Sequence, residues 1–153
     1  MTRGVMYDDD VADEFFDHLV RAQILLWNAV DGRLREDHDL PLSWFEPMRV
    51  VAAHDHARVH DIAVTLLITD GGASKLVDRI AAAGYLHRHR HPDDGRATWL
   101  ELTQDGAAVL AAAEATFRDE LTRRLGTTLP GDRLREMADA LARVRQSAGG
   151  PAD

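Results

Sequence analysis

Residues 69–102 read TDGGASKLVDRIAAAGYLHRHRHPDDGRATWLEL, and the fold turns on how this stretch divides. Lys75, Asp78, Arg79 and Ala82 recur at spacings of three and four, and so do Ala73, Leu76, Val77, Ile80 and Gly84. The first set makes a polar face and the second an apolar one, so residues 71–83 are predicted to form a helix with one side in a core. Thr69 or Asp70 can cap it, and Gly84 closes it. Gly71 and Gly72 cost up to ~1 kcal/mol each relative to alanine if they lie within a helix, a cost tolerated where backbone must approach another surface. Beyond Gly84, residues 87–91 and 98–102 flank a tip built from Pro92, Asp93, Asp94 and Gly95. Turn formers between two arms, the second rich in strand formers, predict a β-hairpin.

Working outward, Ala12, Phe15, Phe16, Leu19, Val20, Leu26, Trp27, Val30 and Leu34 recur mostly at helical spacing. Acidic residues gather in the first turn, where the helix dipole favours them, and one long helix is expected over residues 9–36. Two phenylalanines and a tryptophan exceed what a peripheral helix of one small domain needs, which points to burial against a second subunit. Pro41 breaks the pattern, Ser43 is expected as the next N-cap, and Glu46 would complete a capping box. Trp44, Phe45, Met48, Val51 and Ala52 mark the apolar side of that second helix, which tolerates Pro47 in its first turns. Residues 61–68 read as a short, mostly buried helix. After the hairpin, Thr103 is expected to cap a long helix whose stripe runs through Val109, Leu110, Ala113, Phe117, Leu121 and Leu125, with Gly126 as its stop. Leu134, Met137, Ala138, Leu141 and Val144 define a last helix.

A chain of 153 residues with 45% apolar and 29% charged residues suits a single soluble domain. It contains no cysteine, which removes disulfide, thiolate-zinc and thiol-redox chemistry. No apolar run approaches the ~18 residues of a membrane span, and the N-terminus is acidic where a signal peptide is basic, so the cytoplasm is the expected compartment. The net charge of −8 opposes nucleic-acid binding by the chain as a whole. Between Gly71 and Ala97, however, five fixed positive charges stand against three negative ones, a local balance of +2 that leaves −10 on the rest. An anionic partner is therefore confined to this stretch.

Six of the eight histidines fall in two groups. His54, His56 and His60 with Asp55 and Asp61 admit a metal site or a solvated loop; the two-residue spacing of His54 and His56 puts them on different sides of a helix and favours the loop. His87, His89 and His91 alternate along one strand and share a face, but lack an obvious fourth ligand, so a polar face near phosphate is the preferred reading and no metal is expected. No nucleophile, base and orienting group fall in a recognisable motif, and no phosphate loop is present, so no enzyme activity is expected.

The segment from residue 42 to residue 113 resembles the MarR family of bacterial transcriptional regulators. The matching motifs are Ser74-Lys75-Leu76-Val77-Asp78-Arg79-Ile80 in the helix, Pro92-Asp93-Asp94-Gly95-Arg96-Ala97 at the hairpin tip, and Leu102-Thr103-Gln104-Asp105-Gly106 beyond it. The resemblance implies a mostly α fold with a small β-hairpin wing, a winged helix-turn-helix lobe over residues 42–103 between dimerisation helices at 9–36 and 104–147. It implies a cytoplasmic, nucleoid-associated homodimer that binds double-stranded DNA, with no cofactor and no membrane partner. The helix would enter the major groove and Arg96 the adjacent minor groove, whose negative potential suits arginine. Ser74, Lys75 and Arg79 would read bases or bind phosphate, Gly72 would offer a helix-terminal amide, and Arg88 and Arg90 would add backbone contacts. Asp94 would orient the wing by pairing with an arginine. A small-molecule effector between lobes and dimer helices is implied too, with Trp27, Trp44 and His54 as candidate lining. Two departures stand out: Gly95 where the family often has arginine, and Gly71-Gly72, which leave the start of the helix without side chains. The alternative is a winged-helix protein-interaction module without operator recognition.

Overall fold

The computed structural model describes residues 9–93 and 98–149. Thirty residues without a proline form α1 (Asp9–His38), two residues beyond the expected end. Asp39 then takes a left-handed conformation, φ 51°, and turns the chain into α2 (Leu42–Ala53). The expected Ser43–Glu46 capping box does not form. Pro41 occupies the N-cap with no side-chain cap, its carbonyl accepting from the Trp44 and Phe45 amides, both at 2.9 Å. The Leu42 amide instead donates to Asp31 Oδ1 of α1 at 2.8 Å, so the preceding helix satisfies the start of this one.

Helix α3 (Val59–Leu66) begins two residues earlier than expected, because Asp61 lies at its third position and accepts from the Arg58 amide at 2.7 Å. It is also less buried than expected: Ile62 and Ala63 are covered, but Val64, Leu67 and Ile68 are exposed. Leu67 ends the helix in the left-handed region, φ 55° and ψ 44°. Helix α4 (Asp70–Ala82) follows after a turn. Its stop is Gly84, whose φ of +86° is a conformation that side chains disfavour.

Strands β1 (Leu86–Arg90) and β2 (Thr98–Leu102) pair antiparallel, with Leu86 opposite Leu102, Arg88 opposite Leu100 and Arg90 opposite Thr98. The loop after α2 joins the free edge of β2 through Leu100 N to Ala57 O, 2.7 Å. Thr103 then fastens the next helix to the end of α4: its hydroxyl donates to the Gly84 carbonyl at 2.6 Å and accepts from the Gly106 amide at 2.9 Å. A Cβ at Gly106 would collide with the Tyr85 carbonyl, so this close approach requires glycine. Helices α5 (Gln104–Leu125) and α6 (Gly131–Ala148) complete the chain, and Gly126 stops α5 as expected.

One core joins the elements. Val30 and Leu34 of α1, Phe45, Met48 and Val51 of α2, Ile62 of α3, Val77 and Ile80 of α4, Leu86 and Leu100 of the hairpin, and Leu110 of α5 are all buried together. Helix α6 contributes no buried residue. Among the described residues, no helix is long and apolar enough to cross a membrane.

Candidate nucleic-acid interface

Helix α4 divides as its sequence predicts. Ala73, Val77 and Ile80 are buried, while Lys75, Asp78, Arg79 and Ala82 are exposed. Thr69 supplies the cap, its hydroxyl accepting from the Gly72 amide at 3.0 Å. Because the buried side is fixed by the core, the exposed side presents Lys75 and Arg79 one turn apart on a rigid support, with Ser74 half-buried beside them. Among the described residues neither cation has an ion-pair partner. Asp70 in the first turn lies 2.9 Å from His60 Nδ1 of α3.

The hairpin is tied to this helix by one side chain. Arg88 Nη2 donates to Asp78 Oδ1 at 2.7 Å and approaches the Ser74 carbonyl at 3.4 Å. Arg88 therefore acts within the protein as a strut between β1 and α4, and its partner Asp78 was not singled out by sequence. Ten residues separate the two, a spacing with no local signature. Arg90, two residues on and so on the same side of the strand, is exposed. Arg96, Gly95 and Asp94 lie outside the described residues.

The opposite side of the hairpin carries the alternating histidines. His89 stacks on Trp99 with ring centroids 5.0 Å apart and planes 20° apart, and His56 and His91 meet the same indole edge-on at 5.2 and 6.4 Å. His89 Nε2 lies 2.7 Å from Glu101 Oε2, near enough for an ion pair yet out of line for a hydrogen bond. This face, read from the sequence as a polar surface near phosphate, lies on the opposite side of the strand from Arg88 and packs on Trp99. Trp99 and Glu101 had passed unremarked as its partners. Among the described residues no three histidine, aspartate or glutamate side chains are set to hold a metal.

A second feature lies at the far side of the core. Helices α1, α5 and α6, with the start of α2, line an open cleft of about 680 Å³. Trp27 lines it, but Trp44 and His54 do not. Trp44 packs half-buried against the core, and His54 Nδ1 is bonded to the Val50 carbonyl of its own helix at 2.8 Å. The three residues expected to line one pocket are therefore not brought together at this one. Nearby on α5, Glu120 is 1% exposed and bonded to Arg124 Nε at 2.8 Å and to Arg123 Nη2 at 2.7 Å. The Arg124 hydrogen bond, helped by Arg123, holds its carboxyl below the ordinary value against the opposing effect of burial.

Residues 38–97 match the model of the MarR family. No curated protein matches the chain by sequence. Among solved structures, Sco3205, a MarR family transcriptional regulator from Streptomyces coelicolor in complex with DNA, superposes with a TM-score of 0.82 at 20% identity, over 97% of this chain and 95% of that one. The PcaV transcriptional regulator from the same organism, in complex with its natural ligand, gives 0.71 at 21% identity, over 88% and 91%. A mutant MarR from E. coli complexed with operator DNA gives 0.75 at 18% identity, over 91% and 97%. The fold is the winged helix of these regulators: among the described residues, six helices and a two-stranded hairpin.

Proposed function

We propose that this chain is a regulator of the MarR family, whose model matches residues 38–97: a sequence-specific DNA-binding homodimer that represses from a pseudopalindromic operator and is released by a small ligand. The observation that carries this reading is the exposed face of α4, where Lys75 and Arg79 stand on a fully supported helix braced to the hairpin by Arg88. Lys75 and Arg79 bind phosphate or guanine edges, and Ser74 and the Gly72 amide bind phosphate at the helix start. Arg90 adds a backbone contact. Arg96 enters the minor groove, and Asp94 remains its proposed orienting partner. That Sco3205 and MarR are solved with DNA, and PcaV with a natural ligand, supports the same reading.

Dimerisation through α1, α5 and α6 draws support from the apolar side chains those helices leave uncovered, Phe16 and Leu25 of α1 and Met137 and Val144 of α6 among them. Selection of genomic fragments by the purified protein, followed by titration of the enriched duplex, tests the reading. A two-fold symmetric motif with half-sites about one helical turn apart is expected, with an affinity that falls steeply with salt. Lys75→Ala should lower affinity and, if it binds phosphate, reduce the salt slope by about 1, whereas Arg79→Ala should relax preference at one base pair. A salt-insensitive affinity, or no loss in the Lys75→Ala, Arg79→Ala double variant, defeats the proposal. The acidic total and the two aspartates on α4, Asp70 and Asp78, favour a second reading as a protein-interaction module, which would enrich no motif.

A further inference from the structure

Helix α4 opens Asp70-Gly71-Gly72-Ala73, so the one side chain of its first turn that can form a hydrogen bond is a carboxylate. That carboxylate does not cap the helix, because Thr69 already holds the Gly72 amide. It is met from α3 instead. His60 Nδ1 lies 2.9 Å from Asp70 Oδ1, and since a carboxylate only accepts, the imidazole donates. Asp70 Oδ2 has no partner among the described residues, and the side chain is 69% exposed although one oxygen is held. Next to it, nothing stands within 4 Å of where a Cβ on Gly71 would lie. A fixed acceptor thus stands in open space at the start of the helix.

In a helix laid in the major groove, the N-terminal residues meet base edges. An acceptor there selects for a donor, and the groove offers two, the N6 amino group of adenine and the N4 amino group of cytosine. Adenine sets its N7 acceptor beside the donor, which suits an amide; the cytosine edge carries the donor alone, which suits a carboxylate. We propose that Asp70 reads a cytosine of the operator through its N4 amino group, and that His60 is the positioning residue that fixes the carboxylate for this contact. The proposal rests on the reading of α4 as the helix that enters the major groove. It also gives the paired glycines a use. Without side chains at positions 71 and 72, the start of the helix can sit deep enough for a side chain as short as aspartate to reach a base.

The full chain and its variants are used to select duplexes from a randomised pool, and the enriched duplex is then titrated. The wild type should enrich a cytosine in each half-site that Asp70→Ala does not. N4-methylcytosine at that position keeps the base pair but blocks the donor that faces the major groove. It should weaken the wild type by about tenfold and leave Asp70→Ala within about twofold. Asp70→Asn should move the preference from cytosine to adenine. His60→Ala should relax the choice at this one position, and His60→Asn, whose amide nitrogen can stand in for Nδ1, should keep it. A His60→Ala protein that loses affinity with its base choice intact would remove the positioning role. An Asp70→Asn protein that binds every duplex more tightly with an unchanged motif would show a carboxylate that only repels phosphate, and would overturn the proposal. Equal losses to N4-methylcytosine in the wild type and Asp70→Ala would assign the base to another residue and overturn it too. A wild type that enriches no motif defeats the regulator reading and this one together; a motif in which no cytosine depends on Asp70 defeats this one alone.

Discussion

Arg88 illustrates how a charge counted toward DNA binding becomes an internal brace. Its bonds to Asp78 and to the Ser74 carbonyl hold β1 at a set distance from α4, and in the proposed DNA complex they would set the spacing between the helix in the major groove and the hairpin. Arg88→Ala and Asp78→Ala should each lower affinity for the operator by about tenfold, and the double variant by no more than either, because both remove the same contact. Additive losses in a binding titration would mean that Arg88 touches DNA in its own right. At this scale the sequence was only partly legible. Lys75 and Arg79 stood out because helical spacing put them opposite Ala73, Val77 and Ile80, whereas Asp78 and Arg88 meet only after the chain has reversed at Gly84. Glu120 escaped for a different reason: its spacing of three and four from Arg123 and Arg124 resembles any surface ion pair, and only the fold reveals that it is buried. Its carboxyl is held below the ordinary range, so the stability it contributes is present above the unfolded-state pKa and lost as pH falls through the folded-state value. Glu120→Gln should cost about 1–2 kcal/mol at pH 7, and urea titrations should show the gap from wild type closing as the solution is acidified below the usual carboxylate range.

Among the elements, those fixed by their own sequence were read correctly and those fixed by a neighbour were not. The apolar spacing and the Thr69 and Thr103 caps are local, and α4, the hairpin and α5 came out as expected. The start of α2 did not, because its amide is satisfied by Asp31, eleven residues back on another helix. Helix α3 misled in a second way. An apolar run predicts burial, yet Val64 and Leu67 find no element to cover them, and only the side facing α4 and α2 is closed. Leu67 adds strain to exposure: 79% of its surface is open and its φ is 55°, where a side chain crowds the backbone. Replacing it should therefore help the fold. Leu67→Gly is expected to gain about 1 kcal/mol and raise the melting temperature by ~2–4 °C; a lower melting temperature would mean that the exposed leucine is covered in the assembled protein.

For the molecule as a whole, the question is how a chain of net charge −8 would hold DNA as proposed. A single basic face, set against −10 elsewhere, has few phosphates within reach, and two such faces rigidly spaced gain by linkage what neither holds alone. A dimer, as proposed, would answer the charge distribution as well as give an outlet for apolar surface. Phe15, Phe16 and Trp27 are the sequence ground for that proposed outlet, because a single-domain helix has no use for so many aromatic rings on its stripe. The share taken by α6 was not readable, since its stripe is that of any packed helix and only the fold reveals that none of it is buried. Met137→Glu puts a charge into this surface and should yield a monomer by sedimentation. The wild-type melting temperature should rise with protein concentration and that of the variant should not, because only the former couples folding to association. The variant should bind the full operator about as weakly as an isolated half-site, a loss of about a hundredfold or more, while keeping the single-face salt slope. A Met137→Glu protein that still sediments as a dimer would move the interface off α6, and one that is monomeric yet retains full affinity would show that a single basic face suffices.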